Sequence, residues 1–343
     1  MKKICIRVDG NEIIATGHVM RCLSVAQQLR KMGGQVVFVV ADERPCPMIE
    51  EQGFDTYVMD SVWNDMDTET RTFCDYLVEN SIKIVLLDSY YVTKDYLSSV
   101  SKVASVCYID DMDKFTYPVH TIINYGLNYS RDYVVKYKKV DLDTEFLLGG
   151  VYAPLREEFS YKPYQVNKEV ERVLITTGGT DQLGMSYSLL ETFLGNKQTA
   201  SLEYNVILGR FNKDKARLQE LSKRYDNVKL HENVCNMSYW MRNCDVAVSA
   251  AGTTKYELSA CGIPSICFEV ADNQEGAIEW EENGYMLYGG NAYLEKDICL
   301  NICCDKLISL CNNYERRREL SHRMQQLVDG LGAKRISEYL LEI

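Results

Sequence analysis

Residues 3–40 read KICIRVDGNEIIATGHVMRCLSVAQQLRKMGGQVVFVV. Two short apolar runs rich in β-branched residues, KICIRV at 3–8 and QVVFVV at 35–40, flank a stretch whose apolar side chains recur at helical spacing from about His18 to Met32. Strand, helix, strand in that order is the βαβ unit of a parallel sheet. The alternation continues through a helical pattern near 67–79, the buried-strand run KIVLLD at 83–88, a helix near 94–102, ASVCYID at 104–110 and VHTIIN at 119–124. Such syntax predicts a parallel sheet covered by helices.

The pattern stops at PLREEFSYKPYQVNKEVE, which begins at Pro154 and holds two of the six prolines of the chain. An inter-domain linker is expected there, dividing the chain into domains 1–158 and 159–343. Beyond it the syntax restarts with RVLITTGG, a helix after Gln182, YNVILGR, a helix near 213–224, VKLHENV, a short helix and CDVAVSAAG. A helix over Thr254–Cys261, the strand PSICFEV, a helix over 273–283, a YMLY strand at 285–288 and further helices complete it. Two similar α/β halves predict a bilobal protein with a cleft between its lobes.

The chain has 343 residues, 38 basic and 49 acidic, for a formal net charge of -11. An acidic chain repels phosphate backbones, which argues against general nucleic-acid binding but leaves room for a pocket that holds one nucleotide. The opening MKKICIRVDG is interrupted by Arg7 and Asp9 and does not read as a secretory leader, and no apolar window of about 18 residues predicts a membrane span. A cytoplasmic protein without membrane partners is expected. The thirteen cysteines are scattered with no CxxC pair and read as buried thiols. Cys299, Cys303 and Cys311 recur with Leu300, Leu307 and Leu310 as one buried helical face.

In open α/β sheets ligands sit at the carboxyl ends of strands, where loops run into helix N-termini. The first such loop, at 7–22, puts Gly17 and His18 at the start of a helix. A glycine there lets backbone approach a ligand, and a helix N-terminus disfavours the charged form of an imidazole. His18 thus reads as a neutral base or as a capping and packing histidine. Arg7 and Asp9 on the same strand end either pair with each other or meet substrate. The second loop, Thr176 to Asp181, exposes amides around Gly178, Gly179 and Thr180 that suit a phosphate, or makes a turn capped by Asp181. It is not a Walker loop, since no Gly-Lys-Ser/Thr follows. In the third, Ser249 to Thr254, small and hydroxyl residues again suit a phosphate, while Glu257 either accepts ribose hydroxyls or complements the helix dipole. The fourth, Glu269 to Gln274, brings Asp272, Asn273 and Gln274, which bond sugar hydroxyls and N-acyl groups and are also ordinary caps. Asp110, Asp111 and Asp113 read mainly as a turn with solvated carboxylates, and neither a metal nor a cofactor is expected.

These loops, in this order and spacing, resemble a family: the UDP-sugar hydrolases of pseudaminic acid biosynthesis, PseG, with the related SpsG-type proteins. The resemblance rests on R-x-D-x-x-x-x-I-x-x-G-H-x-x-R-C-L at Arg7, Asp9, Ile14, Gly17, His18, Arg21, Cys22 and Leu23. It extends to D-x-Y at Asp88 and Tyr90, Y-A-P-L-R at 152–156, G-G-T-D at 178–181, S-A-x-G-T-T at 249–254 with Glu257, and A-x-N-Q at 271–274. It implies a GT-B fold related to MurG, two Rossmann-like domains facing across a cleft, with UDP held mainly by the C-terminal one and the last helix, near 331–342, returning to the first lobe. It further implies metal-independent cleavage of UDP from a 2,4-diacetamido-2,4,6-trideoxyhexose by water, with His18 as general base. Tyr90, Asn273 and Gln274 would then face the sugar, Gly252, Thr253 and Thr254 the diphosphate, and Glu257 the ribose. Arg7, Asp9, Gly17, Arg21, Gly178, Gly179, Thr180, Ser249 and Asp272 complete the implied substrate-binding set.

Three positions depart from the family pattern: Ala15 and Ala251, where it carries glycine, and Gln182, where it commonly has proline. Asp88-Ser89-Tyr90-Tyr91 leaves open which tyrosine faces the ligand. Two rival readings use the same loops. One is a GT-B glycosyltransferase whose acceptor is a sugar or lipid hydroxyl, although the loop here is ATGH instead of the G-G-x-G-G-H of MurG-like transferases. The other is a non-catalytic nucleotide-sugar-binding subunit.

Overall fold

A computed structural model describes residues 2–127, 131–140, 142–209, 211–271 and 276–343. It forms two units, Met1–Glu157 with Gly330–Ile343, and Glu158–Asp329. From Gly330 onward the chain groups with the first unit, and the second spans Glu158–Asp329.

The first unit is built on seven strands: β1 (Lys3–Val8), β2 (Gln35–Val40), β3 (Asp55–Val58), β4 (Ile84–Asp88), β5 (Ser105–Ile109), β6 (Thr121–Asn124) and β7 (Glu145–Leu148). They lie in the order β3-β2-β1-β4-β5-β6-β7, every neighbouring pair parallel. β4 is buried along its whole length and β1 for all but its first residue, as a sheet covered on both faces requires. The order reverses direction between β1 and β4, where Val8 pairs with Asp88. At such a switch point the loops after the two strands run to opposite faces and leave a crevice at their carboxyl ends. The loop of His18 follows β1, and the Asp88–Tyr91 segment follows β4.

The second unit repeats the design with β8 (Arg172–Thr176), β9 (Glu203–Leu208), β10 (Val228–Glu232), β11 (Val246–Ala250), β12 (Ser265–Glu269) and β13 (Leu287–Asn291). Its parallel order is β10-β9-β8-β11-β12-β13, so its switch point lies between β8 and β11, with Thr176 beside Ser249. The two glycine-bearing loops noted in the sequence leave these two strands. β13 begins at Leu287, two residues into the expected YMLY run, and continues through Gly289 and Gly290. Gly290 has φ 95°, and the register shifts opposite Cys267 and Glu269. The described part of the next-to-expected helix at 273–283 is Ala277–Glu282.

Residues read as a linker are docked on the second unit. Phe159 is buried, Asn167 Nδ2 donates to Asp245 Oδ1 at 2.7 Å, and the buried Arg317 donates to the carbonyls of Asn167 and Lys168. Of the cysteine-leucine face, Cys299, Leu300, Cys303, Leu307 and Leu310 are buried and Cys311 is half-buried. Among the described residues no helix is long and apolar enough to cross a membrane.

The helix Gly17–Lys31 buries Val19, Cys22, Val25, Ala26 and Leu29 and ends before Gly33, whose φ of 85° breaks the helical path. The last helix, Gly332–Glu342, packs on it, with Ser337 Oγ donating to the carbonyl of Val25 at 3.0 Å. Its first residue lies against the backbone of Tyr152 and Ala153, where a Cβ would overlap. Gly332→Ala is therefore expected to cost roughly 1–3 kcal/mol of stability in the first unit. A thermal unfolding curve unchanged by this substitution would show that the helix does not make this approach.

Candidate functional site

The side chains at the end of β1 divide into two networks. In the first, the fully buried Arg7 donates from Nε and Nη2 to Glu69, at 2.7 and 2.9 Å, and from Nη1 to Asp9 at 2.7 Å. Glu69 also accepts from Ser61 Oγ at 2.6 Å and Tyr96 at 3.1 Å, and Asp9 accepts the amide of Ala41 at 2.8 Å. Burial disfavours the Arg7 charge, but Asp9 and Glu69 outweigh it and hold the guanidinium ionised. All three guanidinium nitrogens are thus engaged by carboxylates. Of the two alternatives for Arg7 and Asp9, the structure shows the pairing, which ties β1 to the loop after β2 and to the residues around Glu69. Glu69 lies 62 residues from Arg7, and nothing local in the sequence marks it as the partner.

The second network surrounds His18, which is buried at the start of its helix. Its Nδ1 lies 2.6 Å from Asp88 Oδ1. Asp88 also accepts from Arg21, Nε to Oδ2 at 2.5 Å and Nη2 to Oδ1 at 2.6 Å. Burial alone would raise the Asp88 carboxyl, but Arg21, with His18, prevails and holds it well below the ordinary carboxylate range. An ionised carboxylate only accepts, so the contact selects the tautomer with the proton on Nδ1, in which Nε2 of a neutral ring would keep its lone pair. Arg21 Nη2 stands 3.1 Å from Nδ1 but closer to Asp88, which takes both donors. Arg21 Nη1 reaches Asp111 at 2.7 Å and donates to the Tyr125 hydroxyl. Arg21 is thereby engaged on every side and positions Asp88.

Tyr90 meets the His18 ring edge-on, with centroids 4.4 Å apart, and donates to Asp111 Oδ2 at 3.3 Å. Burial, then Asp111, pushes its hydroxyl up, so it remains a donor at neutral pH. Tyr91 turns the other way, to Trp63 and the core. Gly17 is exposed, and a Cβ on it would meet nothing. Ala15, where a glycine was expected from the family pattern, has φ 57°. The left-handed turn is retained with a methyl in place, and Asn11 Oδ1 supports it by accepting the amides of Ile13 and Ile14.

In the Asp110–Asp113 turn Asp111 and Asp113 are exposed, in line with the reading as solvated carboxylates, and Asp110 is the exception. Asp110 is buried, accepts the amides of Met112 and Asp113 at 2.9 Å, and receives the Tyr133 hydroxyl. Asp113 pairs with Lys136. Asp111 is the member directed to Arg21 and Tyr90, a position that sequence reading missed.

In the second unit, Asp181 accepts the amides of Met185 and Ser186 at 2.8 and 3.0 Å, and Thr177 shares a hydrogen bond with Ser186. Gly178, Gly179 and Thr180 are exposed above this anchored turn. Ser249 is buried and donates to the carbonyl of Ala250, so it supports the loop and does not reach outward. Gly252 and Thr253 lead into the helix Thr254–Cys261, whose N-cap Thr253 makes no side-chain cap and whose first turn carries Glu257. Glu269 accepts from the Ala277 amide, Tyr288 and Asn291. Asp272, Asn273 and Gln274 lie outside the described residues.

The fold is that of the GT-B glycosyltransferases. MurG of Acinetobacter baumannii superposes with a TM-score of 0.71 at 14% identity, covering 100% of both chains. The pneumococcal O-GlcNAc transferase GtfA, solved with UDP and GlcNAc, gives 0.61 at 10% identity over 99% of each. At these identities the likeness shows the fold alone. No protein-family model matches the chain. In sequence, an uncharacterized protein of Methanocaldococcus jannaschii is 27% identical over 275 residues, 77% of this chain and 55% of that one. The Helicobacter pylori pseudaminic acid cytidylyltransferase and UDP-2,4-diacetamido-2,4,6-trideoxy-beta-L-altropyranose hydrolase is 30% identical over 194 residues, 55% of this chain and 34% of that protein. The Bacillus subtilis spore coat polysaccharide biosynthesis protein SpsG is 22% identical over 221 residues, 64% and 63%. The matches thus span between a third and two thirds of these relatives.

A carboxylate held low in the folded state adds stability that is complete above its unfolded value, about 3.9, and is lost as pH falls through its native one. Asp88→Asn should therefore be less stable than wild type at neutral pH, and the gap should narrow below about pH 4. Circular dichroism across acid titration checks this, and parallel curves for the two proteins would remove Asp88 from the acid response.

Proposed function

We propose that the chain is a nucleotide-sugar hydrolase that cleaves UDP from a UDP-2,4-diacetamido-2,4,6-trideoxyhexose at the bond between the anomeric carbon and oxygen, in the biosynthesis of a cell-surface glycan. The observation that carries the reading is the His18–Asp88 pair, clamped by Arg21 at the switch point of the first sheet. Asp88 fixes the tautomer that leaves Nε2 basic, and its negative charge stabilises the imidazolium formed when a water gives up its proton. The oxygen of that water bonds to the anomeric carbon as the bond to the diphosphate oxygen breaks, and UDP leaves with the electron pair.

The likeness to the Helicobacter pylori hydrolase supports the choice of reaction and substrate class. In the second unit, exposed Gly178, Gly179 and Thr180, with Gly252, Thr253 and Thr254 at a helix start, are the proposed diphosphate donors, and Glu257 the ribose acceptor. Asp272, Asn273 and Gln274 are proposed for the sugar side on the motif alone. UDP is already a good leaving group, so a base, an oriented water and amide donors suffice without a metal. The transferase reading keeps a specific basis, since MurG and GtfA share the fold. In it a hydroxyl takes the place of water before the same base.

The purified protein, with chelator and no acceptor, is incubated in oxygen-18 water with UDP-2,4-diacetamido-2,4,6-trideoxyhexoses, and products are read by mass spectrometry. Release of UDP with the label in the free sugar is the expected result. His18→Ala should lose roughly 10²–10⁴-fold in turnover with UDP affinity little changed. Near wild-type turnover in that variant would sink the base assignment, and intact substrate beside measurable UDP binding would move the protein to the transferase or binding-subunit class.

A further inference from the structure

The aspartates of the Asp110–Asp113 turn have separate partners, and among the described residues Asp111 is the one that keeps an oxygen without a partner beside the His18 network. Asp110 is consumed internally by two amides and Tyr133, and Asp113 by Lys136. Asp111 is anchored through a single oxygen. Its Oδ2 forms an ion pair with Arg21 Nη1 at 2.7 Å and accepts the Tyr90 hydroxyl at 3.3 Å, while among the described residues its Oδ1 receives no hydrogen bond. The side chain is 25% exposed, so this oxygen is reachable.

Its place relative to His18 follows from shared partners. Arg21 bridges Asp111 to Asp88, the partner of His18, and Tyr90 touches both the His18 ring and Asp111. The carboxylate is tied to a guanidinium and a tyrosine through Oδ2, and Oδ1 is left to accept from a ligand. The main-chain turn made by Asp110 and the contact of Lys114 Nζ with the Tyr90 carbonyl at 2.9 Å leave it little freedom. A fixed, ionised acceptor beside a base selects a neutral donor, an O–H or an amide N–H, and repels an anionic group at the same position.

We propose that Asp111 is a specificity-determining residue, whose Oδ1 accepts a hydroxyl or acylamino N–H from the sugar presented to His18 and which discriminates against sugars that carry a carboxylate. This rests on the nucleotide-sugar reading above and names the sugar chemistry that its site accepts. Asp111→Asn keeps one carbonyl oxygen for Arg21 and Tyr90 and turns the free end into a donor.

The test is calorimetric binding of UDP, UDP-2,4-diacetamido-2,4,6-trideoxyhexoses and UDP-glucuronic acid to wild type, Asp111→Asn and Tyr90→Phe, with melting temperatures alongside. The expected result is a loss of about tenfold or more in affinity of Asp111→Asn for the diacetamido sugars, unchanged UDP affinity, and tighter binding of UDP-glucuronic acid than wild type shows. Tyr90→Phe removes one donor to Oδ2 and should lower affinity for the diacetamido sugars less than Asp111→Asn does, with UDP affinity unchanged. A ranking in Asp111→Asn equal to that of wild type, with the protein folded, overturns the proposal and leaves the nucleotide-sugar reading intact. A wild type that binds neither UDP nor any of the sugars overturns both. If Asp111→Asn melts early, Asp111→Glu replaces it: displacement of Oδ1 by one methylene should weaken the diacetamido sugars and spare UDP, and equal weakening of UDP would assign Asp111 to the fold alone.

Discussion

The ionised carboxylate of Asp88, buried at the end of a central strand, is the constraint around which the site of the first unit is arranged. A charge taken out of water there is tolerable only because Arg21 meets both of its oxygens and His18 adds a third donor. Removing one partner of such a buried pair typically costs ~3–5 kcal/mol. Arg21 must in turn sit one helical turn beyond His18, which requires the helix to begin at Gly17, and that start requires the left-handed turn at Ala15. The position of the candidate base is thus the outcome of a chain of charge compensation, and a loop substitution far from substrate would act through it.

Two buried arginines at neighbouring strand and helix positions do different work for the same reason. Arg7 is enclosed by Glu69 and Asp9 and stiffens the sheet end. Arg21 is enclosed by Asp88 and Asp111, one of which touches His18 while the other keeps a free oxygen. The distinction lies in what the carboxylate partner touches next, since both guanidinium groups are equally saturated. Buried ion networks of this kind add little net stability over apolar packing, yet they hold direction well. Direction is what a base and a selective acceptor need.

The alternating strand and helix runs were legible because a strand buried on both faces must be continuously apolar, and both switch points fall on the loops singled out from their glycines and hydroxyls. The edge strands β3 and β7, DTYV and EFLL, have mixed burial and only four residues each, so no apolar run announces them. His18, Asp88 and Tyr90 were legible as motif residues, but their grouping depends on β1 pairing with β4, across 70 residues of chain. For Arg7, Arg21 and Ser249 the sequence did not distinguish a ligand contact from a buried partner, because a polar residue at the end of a strand or the start of a helix reads the same in either case. The contact of Asp111 with Arg21 was hidden differently: three aspartates in four positions suggest solvent, whereas a turn sends alternate side chains to different neighbours.

The choice between water and a hydroxyl acceptor does not reside in the base. A clamped imidazole accepts a proton from either, and the GT-B fold carries no preference of its own. On the proposed reading, what decides it is the space and polarity around the anomeric carbon, where Asp111 would add a negative edge and Tyr90 an aromatic wall with its hydroxyl turned toward that edge. Such a wall orients one small nucleophile by hydrogen bonding and leaves few donors to steady a second sugar. Selection of the donor sugar and selection of water would then arise from the same few side chains, all of them held in place by Arg21.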